Sequence, residues 1–434
     1  MAETAAKALV KLRFYYGWVL VGAVIVINAG MHASAHFTIG IFFLPMIADL
    51  GVSRGAVSWL PTCRTFSGAF ASIWTGKMVD KYGSRFIIPI AAAVTALTMV
   101  AIGFAHNLFL LYFLFVILGM SGIGGQGMIL TSVPLSKWFI KRRGLVLGLS
   151  SAGLAIGGTV FGPVHSWLID WLGWRGAFMV SAVIVFATIA PVGLIFMRRQ
   201  PEDMGLLPDG VSSPDSSGVK SAAFKLVEKE EVSWSLKEAM RTPALWKLTI
   251  GFMMVGFASG GYTIHRFPFW EERGFANSTV ALALSTDAIV FGIAAVTAGH
   301  LMDKLSIRQI MPAANIVSAF VLILSMARGS SFSLFFTFFI WGAATGTWSV
   351  SQMFIWANYF GRKSVGSIRG ATLPFQVVAM GLGAPVAGYI YDATNTYTSA
   401  WIISIAFYCV AAIVFATTTK PSRPLANFEA LESP

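Results

Sequence analysis

Residues 76–85 read GKMVDKYGSR, and residues 299–308 read GHLMDKLSIR. Gly76 and Gly299, Asp80 and Asp303, and Arg85 and Arg308 match at one offset of 223 residues. Pro45 and Pro268, and Gly51 and Gly274, keep the same offset, and Asp170 and Asp392 nearly keep it. Matches this far apart in one register mean that the chain is two copies of one plan, and the rest of the sequence says what is repeated.

Each copy of the loop follows an apolar run of membrane-spanning length, roughly 20 residues. The 434-residue chain is 56% apolar and only 12% charged, where a soluble domain carries about 25% charged residues. Twelve spans are expected, near 16–43, 55–76, 86–105, 108–134, 144–168, 176–197, 245–268, 278–301, 309–327, 332–357, 367–391 and 399–418. The polar stretch from Arg198 to Pro243, with its PDGVSSPDSSG, reads as a flexible linker. The expected units are therefore a six-helix bundle at 1–197, a linker at 198–243 and a second bundle at 244–434. Of the 31 Lys and Arg, 25 fall at the termini, in the linker and in the loops on that same side, and four on the opposite side. Positive residues stay in the cytoplasm, so both termini and the linker are expected there, in a multi-pass protein of the cell membrane. The net charge of +12 is thus a topology signal and gives no support to nucleic-acid binding. Cys63 and Cys409 both fall inside spans, so no disulfide framework is expected.

Six-helix halves related by an axis along the membrane normal are a transporter architecture. The two G-x-x-x-D-x-x-x-x-R loops resemble the signature of the major facilitator superfamily, over nearly the whole chain. Within it, WFIKRRGLVLGLSSAG (138–153) resembles the span 4–5 signature of monocarboxylate porters and oxalate/formate antiporters. YYGWVLV (15–21) and YFGRKSVGSIRG (359–370) point to the same branch. The resemblance implies an all-α fold of two pseudo-symmetric bundles, working as a monomer by alternating access. It also implies that Asp80, Arg85, Asp303 and Arg308 latch helix ends during rocking and touch no substrate. No cofactor and no metal are implied.

Charged residues inside spans face the bundle interior or a water-filled cavity, which makes the few present here informative. Arg64, in WLPTCRTFSGAF (59–70), lies sixteen residues before Asp80, and Asp287 lies sixteen before Asp303. The two sit at equivalent depths, about 24 Å along their helices from the signature loops. Arg64 is read either as a carboxylate-binding cation or as a gate or structural ion pair between the halves. Asp287 is read as a proton site or as a permanent counter-charge to an arginine. Span 7 adds Tyr262 and Arg266, four apart on one face, Arg266 either touching substrate or snorkelling outward. Asn28, His32 and His36 form a polar stripe on span 1, where His32 could bind substrate, relay a proton or simply pack. Trp348 and Gln352 share a face of span 10 with Trp341, either as a wall for a partly apolar acid or as packing.

The resemblance breaks at one place. Monocarboxylate porters carry Asp-x-x-x-Arg in span 8, and those positions fall near Phe291 and Ala295 here. Oxalate carriers add a span 11 lysine, whose place is taken by Gln376. Arg64 is the candidate to supply the missing charge. The expected function is proton-coupled secondary transport of a small organic anion, with a proton or counter-anion as the coupled partner. An organic-anion exchanger, an exporter of a cationic or neutral amphiphile, and a non-transporting membrane sensor are the alternatives. No span or loop gathers a nucleophile, a base and a stabiliser, so the chain is not expected to be an enzyme.

Overall fold

The computed structural model describes residues 15–35, 38–123, 129–139, 143–206, 209, 234–302, 305–327, 329–361 and 365–421. Span 1 is Gly17–Met31 followed by a 3-10 turn, His32–Ser34, and a second helix, Ile39–Leu50. Span 2 is Arg54–Tyr82, span 3 Ser84–Gly103, and span 4 Leu108–Met120 with Ile129–Trp138. Spans 5 and 6 form one run, Arg143–Phe196, broken at Gly173, where φ 68° and ψ 170° turn the chain back. Spans 7 to 12 are Pro243–Glu271, Asn277–Met302, Ile307–Met326, Ser331–Phe360, Val365–Thr394 and Thr398–Thr417. Residues 1–14, most of the expected linker and residues 422–434 lie outside the described residues.

Three helices differ from expectation. Span 1 was expected to run unbroken over 16–43, but the chain turns through Ala35 at φ 56° and resumes as a helix ending at Leu50. Span 4 was expected to be continuous over 108–134, but its first helix stops at Met120 and Gly122 takes φ 78°. Span 2 runs on to Tyr82, so the backbone of Asp80 is helical and not looped. The expected linker contains the short helix Leu236–Ala239, closed by a capping box between Ser235 and Glu238, and Trp234 donates its N–H to the carbonyl of Phe360.

The repeat seen in the sequence reappears as packing. Span 1 packs on span 5, 2 on 4 and 3 on 6; span 7 packs on 11, 8 on 10 and 9 on 12. The halves meet along two equivalent seams, span 2 against span 11 and span 5 against span 8, and the second helix of span 1 also packs on span 7. Thr62 donates to the carbonyl of Gly381 at 2.6 Å across the first, and Ser285 to that of Thr159 at 2.6 Å across the second. In lipid the hydrophobic effect does not draw helices together, so close packing through small residues and a few hydrogen bonds hold them. Gly119 shows how tight this is: a side chain there would collide with the carbonyl of Arg64 and the hydroxyl of Ser67. The outer faces carry large apolar side chains such as Leu97 and Phe113, exposed toward the bilayer.

Arg85 and Arg308 occupy matching places. Arg85 Nε donates to the carbonyl of Leu194 at the end of span 6, and the Arg308 guanidinium to that of Ala416 at the end of span 12. Each half thus covers the carbonyl end of its last helix with an arginine from the start of its third. Asp303 lies outside the described residues, as does the side chain of Asp80.

Gly119→Val should destabilise the protein by about 1–3 kcal/mol through overpacking of spans 2 and 4. Gly22→Val, where a Cβ meets nothing within 4 Å, should be near neutral. Thermal melting of the two purified variants in detergent measures the difference.

Candidate functional site

Arg64 is 2% exposed, and its two terminal guanidinium nitrogens are engaged by the protein itself, while Nε finds no partner among the described residues. Nη1 donates to the carbonyl of Ser34 at 2.7 Å, and Nη2 to the Ser34 hydroxyl at 2.7 Å and the Ile123 carbonyl at 3.2 Å. Ser34 ends the turn at which span 1 breaks, and Ile123 follows the break in span 4. Breaking a helix inside a membrane frees carbonyls that lipid cannot hydrogen-bond, and Arg64 covers one at each break. No carboxylate reaches it among the described residues, and it does not pair with Asp287. This departs from the expectation of a substrate-facing cation. The physical reason is that the expected smooth helices left Arg64 without local acceptors, and the breaks supply them.

The charge pair of the site is Arg266 with Asp287. Arg266 Nη2 lies 2.6 Å from Asp287 Oδ2, and the two residues are 4% and 8% exposed. Span 7 carries the cation and span 8 the anion, and aromatic rings of span 10 lie against the cation. Arg266 stands 4.9 Å over the ring of Phe338 and 5.9 Å from that of Trp341. Gly342 is what admits the carboxylate: a Cβ there would lie 2.9 Å from Asp287 Oδ1. Arg266 Nε and Nη1, both buried, find no partner among the described residues. The alternative in which Arg266 snorkels outward is therefore corrected: its buried partner on span 8 turns it inward.

Tyr262 is fully buried, its ring 4.5 Å from Trp341 and 5.2 Å from Trp401, so it forms one wall of the same compartment. Trp348 packs instead on Phe252 at 6.1 Å, with its indole N–H unpartnered among the described residues. Gln352 donates to the amide oxygen of Gln376, which joins spans 10 and 11 on the side of the termini. Asn28 donates to the carbonyl of Ser150 at 2.9 Å and so ties span 1 to span 5. His32 is 6% exposed and lies against Gly157 and Gly158, and Gly158 faces Ala288, the neighbour of Asp287. His36 lies outside the described residues. The structure thus groups Tyr262, Arg266 and Asp287, and leaves Trp348, packed on Phe252, and Gln352, bonded to Gln376, apart from them.

Sequence reading passed over two histidines. His165 of span 5 is fully buried, with Nδ1 2.7 Å from the Thr38 hydroxyl. His265 of span 7 meets the carbonyl of Ala384, the Tyr397 hydroxyl and the Ser58 hydroxyl, partners from three other spans. Only their position inside a span could have marked them, because every partner is remote in sequence.

Comparison with known proteins places this architecture. The family model of the Major Facilitator Superfamily matches residues 25–276 and 267–433. The chain belongs to that superfamily. It is a multi-pass membrane transporter and not an enzyme. Among curated relatives it is 23% identical over 411 residues to monocarboxylate transporter 13 of Bos taurus, covering 92% of this chain and 89% of that one. It is 24% identical over 350 residues to the oxalate:formate antiporter of Oxalobacter formigenes, covering 79% of this chain and 78% of that one. A bacterial homologue of the human lysosomal transporter Spinster, solved inward-facing and occupied, superposes with a TM-score of 0.67 at 17% identity, covering 94% of this chain and 99% of that one. The fold is shared with that carrier, and the monocarboxylate and oxalate branch is where the sequence falls.

Arg64→Met should leave the Ser34 and Ile123 carbonyls bare, at about 1–3 kcal/mol each, and lower the melting temperature and the folded yield. Arg64→Lys should recover part of both. A melting curve unchanged in Arg64→Met together with lost acid transport would return the arginine to a substrate-binding role.

Proposed function

We propose that this transporter carries small organic monoanions together with a proton, and that Arg266 and Asp287 couple the two. The observation behind this reading is the buried pair between spans 7 and 8, with two guanidinium N–H groups left without a partner. An unpaired charge in a dry interior is strongly unfavourable, and breaking a buried pair costs about 3–5 kcal/mol. Protonating Asp287 removes its charge and leaves Arg266 seeking an anion. A substrate carboxylate then completes the guanidinium with two parallel hydrogen bonds. Proton and anion each raise the other's affinity, as linkage requires, and the loaded carrier has the same net charge as the empty one.

The pair takes over the work of the Asp-x-x-x-Arg pattern absent from span 8, with the cation moved to span 7. Trp341, Phe338 and Tyr262 give the substrate an apolar wall. Gln352 and Gln376 offer uncharged hydrogen-bonding groups where a dicarboxylate would need a second cation, which favours monoanions over oxalate. The exporter of cationic amphiphiles is disfavoured because Asp287 is already neutralised by Arg266. His32, against the span 5–8 seam next to Asp287, is the candidate proton relay. The charge asymmetry supports a topology with both termini and the linker in the cytoplasm, and the family resemblance supports a carrier that works as a single chain.

Protein reconstituted in vesicles tests this with labelled lactate, pyruvate, benzoate and oxalate under an inward proton gradient. Wild type should accumulate one or more monocarboxylates, and an uncoupler should abolish accumulation. Asp287→Asn should keep anion exchange but lose proton-driven accumulation, whereas Arg266→Gln should lose both by at least about 100-fold, the scale of a buried charged contact. Retention of transport in Arg266→Gln would overturn the carboxylate assignment, and accumulation indifferent to the proton gradient in wild type would favour the exchanger.

A further inference from the structure

The pole of the molecule away from the termini is closed by a set of contacts that all cross from one half to the other. Asp392, at the end of span 11, accepts from the backbone N–H of Arg54 at 2.9 Å and of Gly55 at 2.8 Å. A carboxylate of the second half therefore caps the first turn of span 2 in the first half, where free N–H groups and the helix dipole both favour an anion. The Arg54 side chain reaches back across the seam. It pairs with Glu272 just beyond span 7, donates to the Tyr397 hydroxyl at 2.8 Å and lies 3.7 Å over the ring of Tyr391. Tyr391 in turn donates to Glu272 at 2.8 Å.

A second layer lies beneath. His265 Nε2 is 2.8 Å from the Ala384 carbonyl, so that nitrogen is the donor. Its Nδ1, 2.9 Å away, then accepts from Tyr397, whose oxygen is already receiving Arg54. Ser58 Oγ lies 3.2 Å from His265 and donates to the Arg54 carbonyl at 2.7 Å. Gly388 brings span 11 down on span 2: a Cβ there would come within 2.9 Å of the Gly55 backbone and the Ser58 hydroxyl.

The internal repeat supplies a control. Asn277 is the counterpart of Arg54 at the offset of 223, and Asp170 is the counterpart of Asp392. Yet among the described residues Asp170 makes no hydrogen bond to the start of span 8 that would match the Asp392 cap. The seam of spans 5 and 8 is instead joined by the Ser285–Thr159 contact and by small residues such as Gly158 against Ala288.

We propose that the Asp392 cap on span 2, together with the Arg54–Glu272 pair and the Tyr397–His265 layer below it, is the gate that holds this pole shut. The lock is one-sided. Spans 2 and 11 part when the pole opens, while spans 5 and 8 stay in contact and act as the pivot. The strength of the lock sets which face the resting carrier presents.

A reporter cysteine, Ser58→Cys in a Cys63→Ala/Cys409→Ala background, gives up one bond of the second layer and so serves as the common baseline for every variant; it can be labelled with a membrane-impermeant maleimide applied to either face of reconstituted vesicles. Labelling should be slow from the face on which Arg54 lies. Asp392→Asn should speed it about ten-fold, the scale of a lost charged cap, and Glu272→Gln should do the same. The exchange Arg54→Glu with Glu272→Arg should slow it again relative to either single change. Asp170→Asn should leave the rate unchanged. Melting curves accompany every variant, and Glu272→Gln with the charge exchange carries the test if Asp392→Asn does not fold. Unchanged labelling in folded Asp392→Asn or Glu272→Gln overturns the gate, and an equal rise in Asp170→Asn overturns its one-sidedness.

Discussion

Two helices of the first half stop and restart inside the membrane, and a single guanidinium makes that tolerable. Arg64 places its donors on the Ser34 carbonyl and hydroxyl at the break in span 1, and on the Ile123 carbonyl beyond the break in span 4. Lipid offers no hydrogen bonds, so each freed carbonyl must be answered from within the protein. The close approach of spans 2 and 4 at Gly119 sets where the guanidinium lies, and the guanidinium sets where the chain can bend. Without it, spans 1 and 4 would have to be straight or lose stability, and the polar edge of span 1 would be differently aimed.

The same economy of buried charge governs the other half. There the cation has a true counter-ion, and the pair is confined between spans 7, 8 and 10 by Gly342 and the aromatic rings around it. Arg64 shares its charge among neutral acceptors, and no carboxylate pairs with it among the described residues. Arg266 is paired with one carboxylate, that of Asp287. The first arginine thus binds neutral backbone and hydroxyl acceptors, and the second binds an anionic partner.

Around these charges the halves meet on small residues and a few hydrogen bonds, which leaves the seams easy to part. Their only charged fastening among the described residues is at the pole away from the termini, on the span 2–11 side. A symmetric repeat has thus become an asymmetric device, because Arg54 can pair where its counterpart Asn277 cannot.

Twelve spans, two equivalent halves and membership of a transporter architecture were legible in the chain, since hydropathy, the charge bias and the repeated loop each report on local sequence. Arg85 and Arg308 were legible as matching helix-end residues for the same reason. Tyr262, Arg266 and Asp287 could be nominated because intramembrane polar groups are rare. Their pairing could not: whether Asp287 answers Arg64 or Arg266 depends on which faces of spans 2, 7 and 8 turn together, a matter of helix rotation that periodicity does not fix. The breaks in spans 1 and 4 coincide with HASAH (32–36) and SGIGGQG (121–127), whose small and polar residues are also common in unbroken helices of membrane bundles and so did not mark a break. Sequence determined what had to be buried in the bilayer; the tertiary structure alone decided which buried donor met which acceptor, because those partners come from helices far apart in the chain.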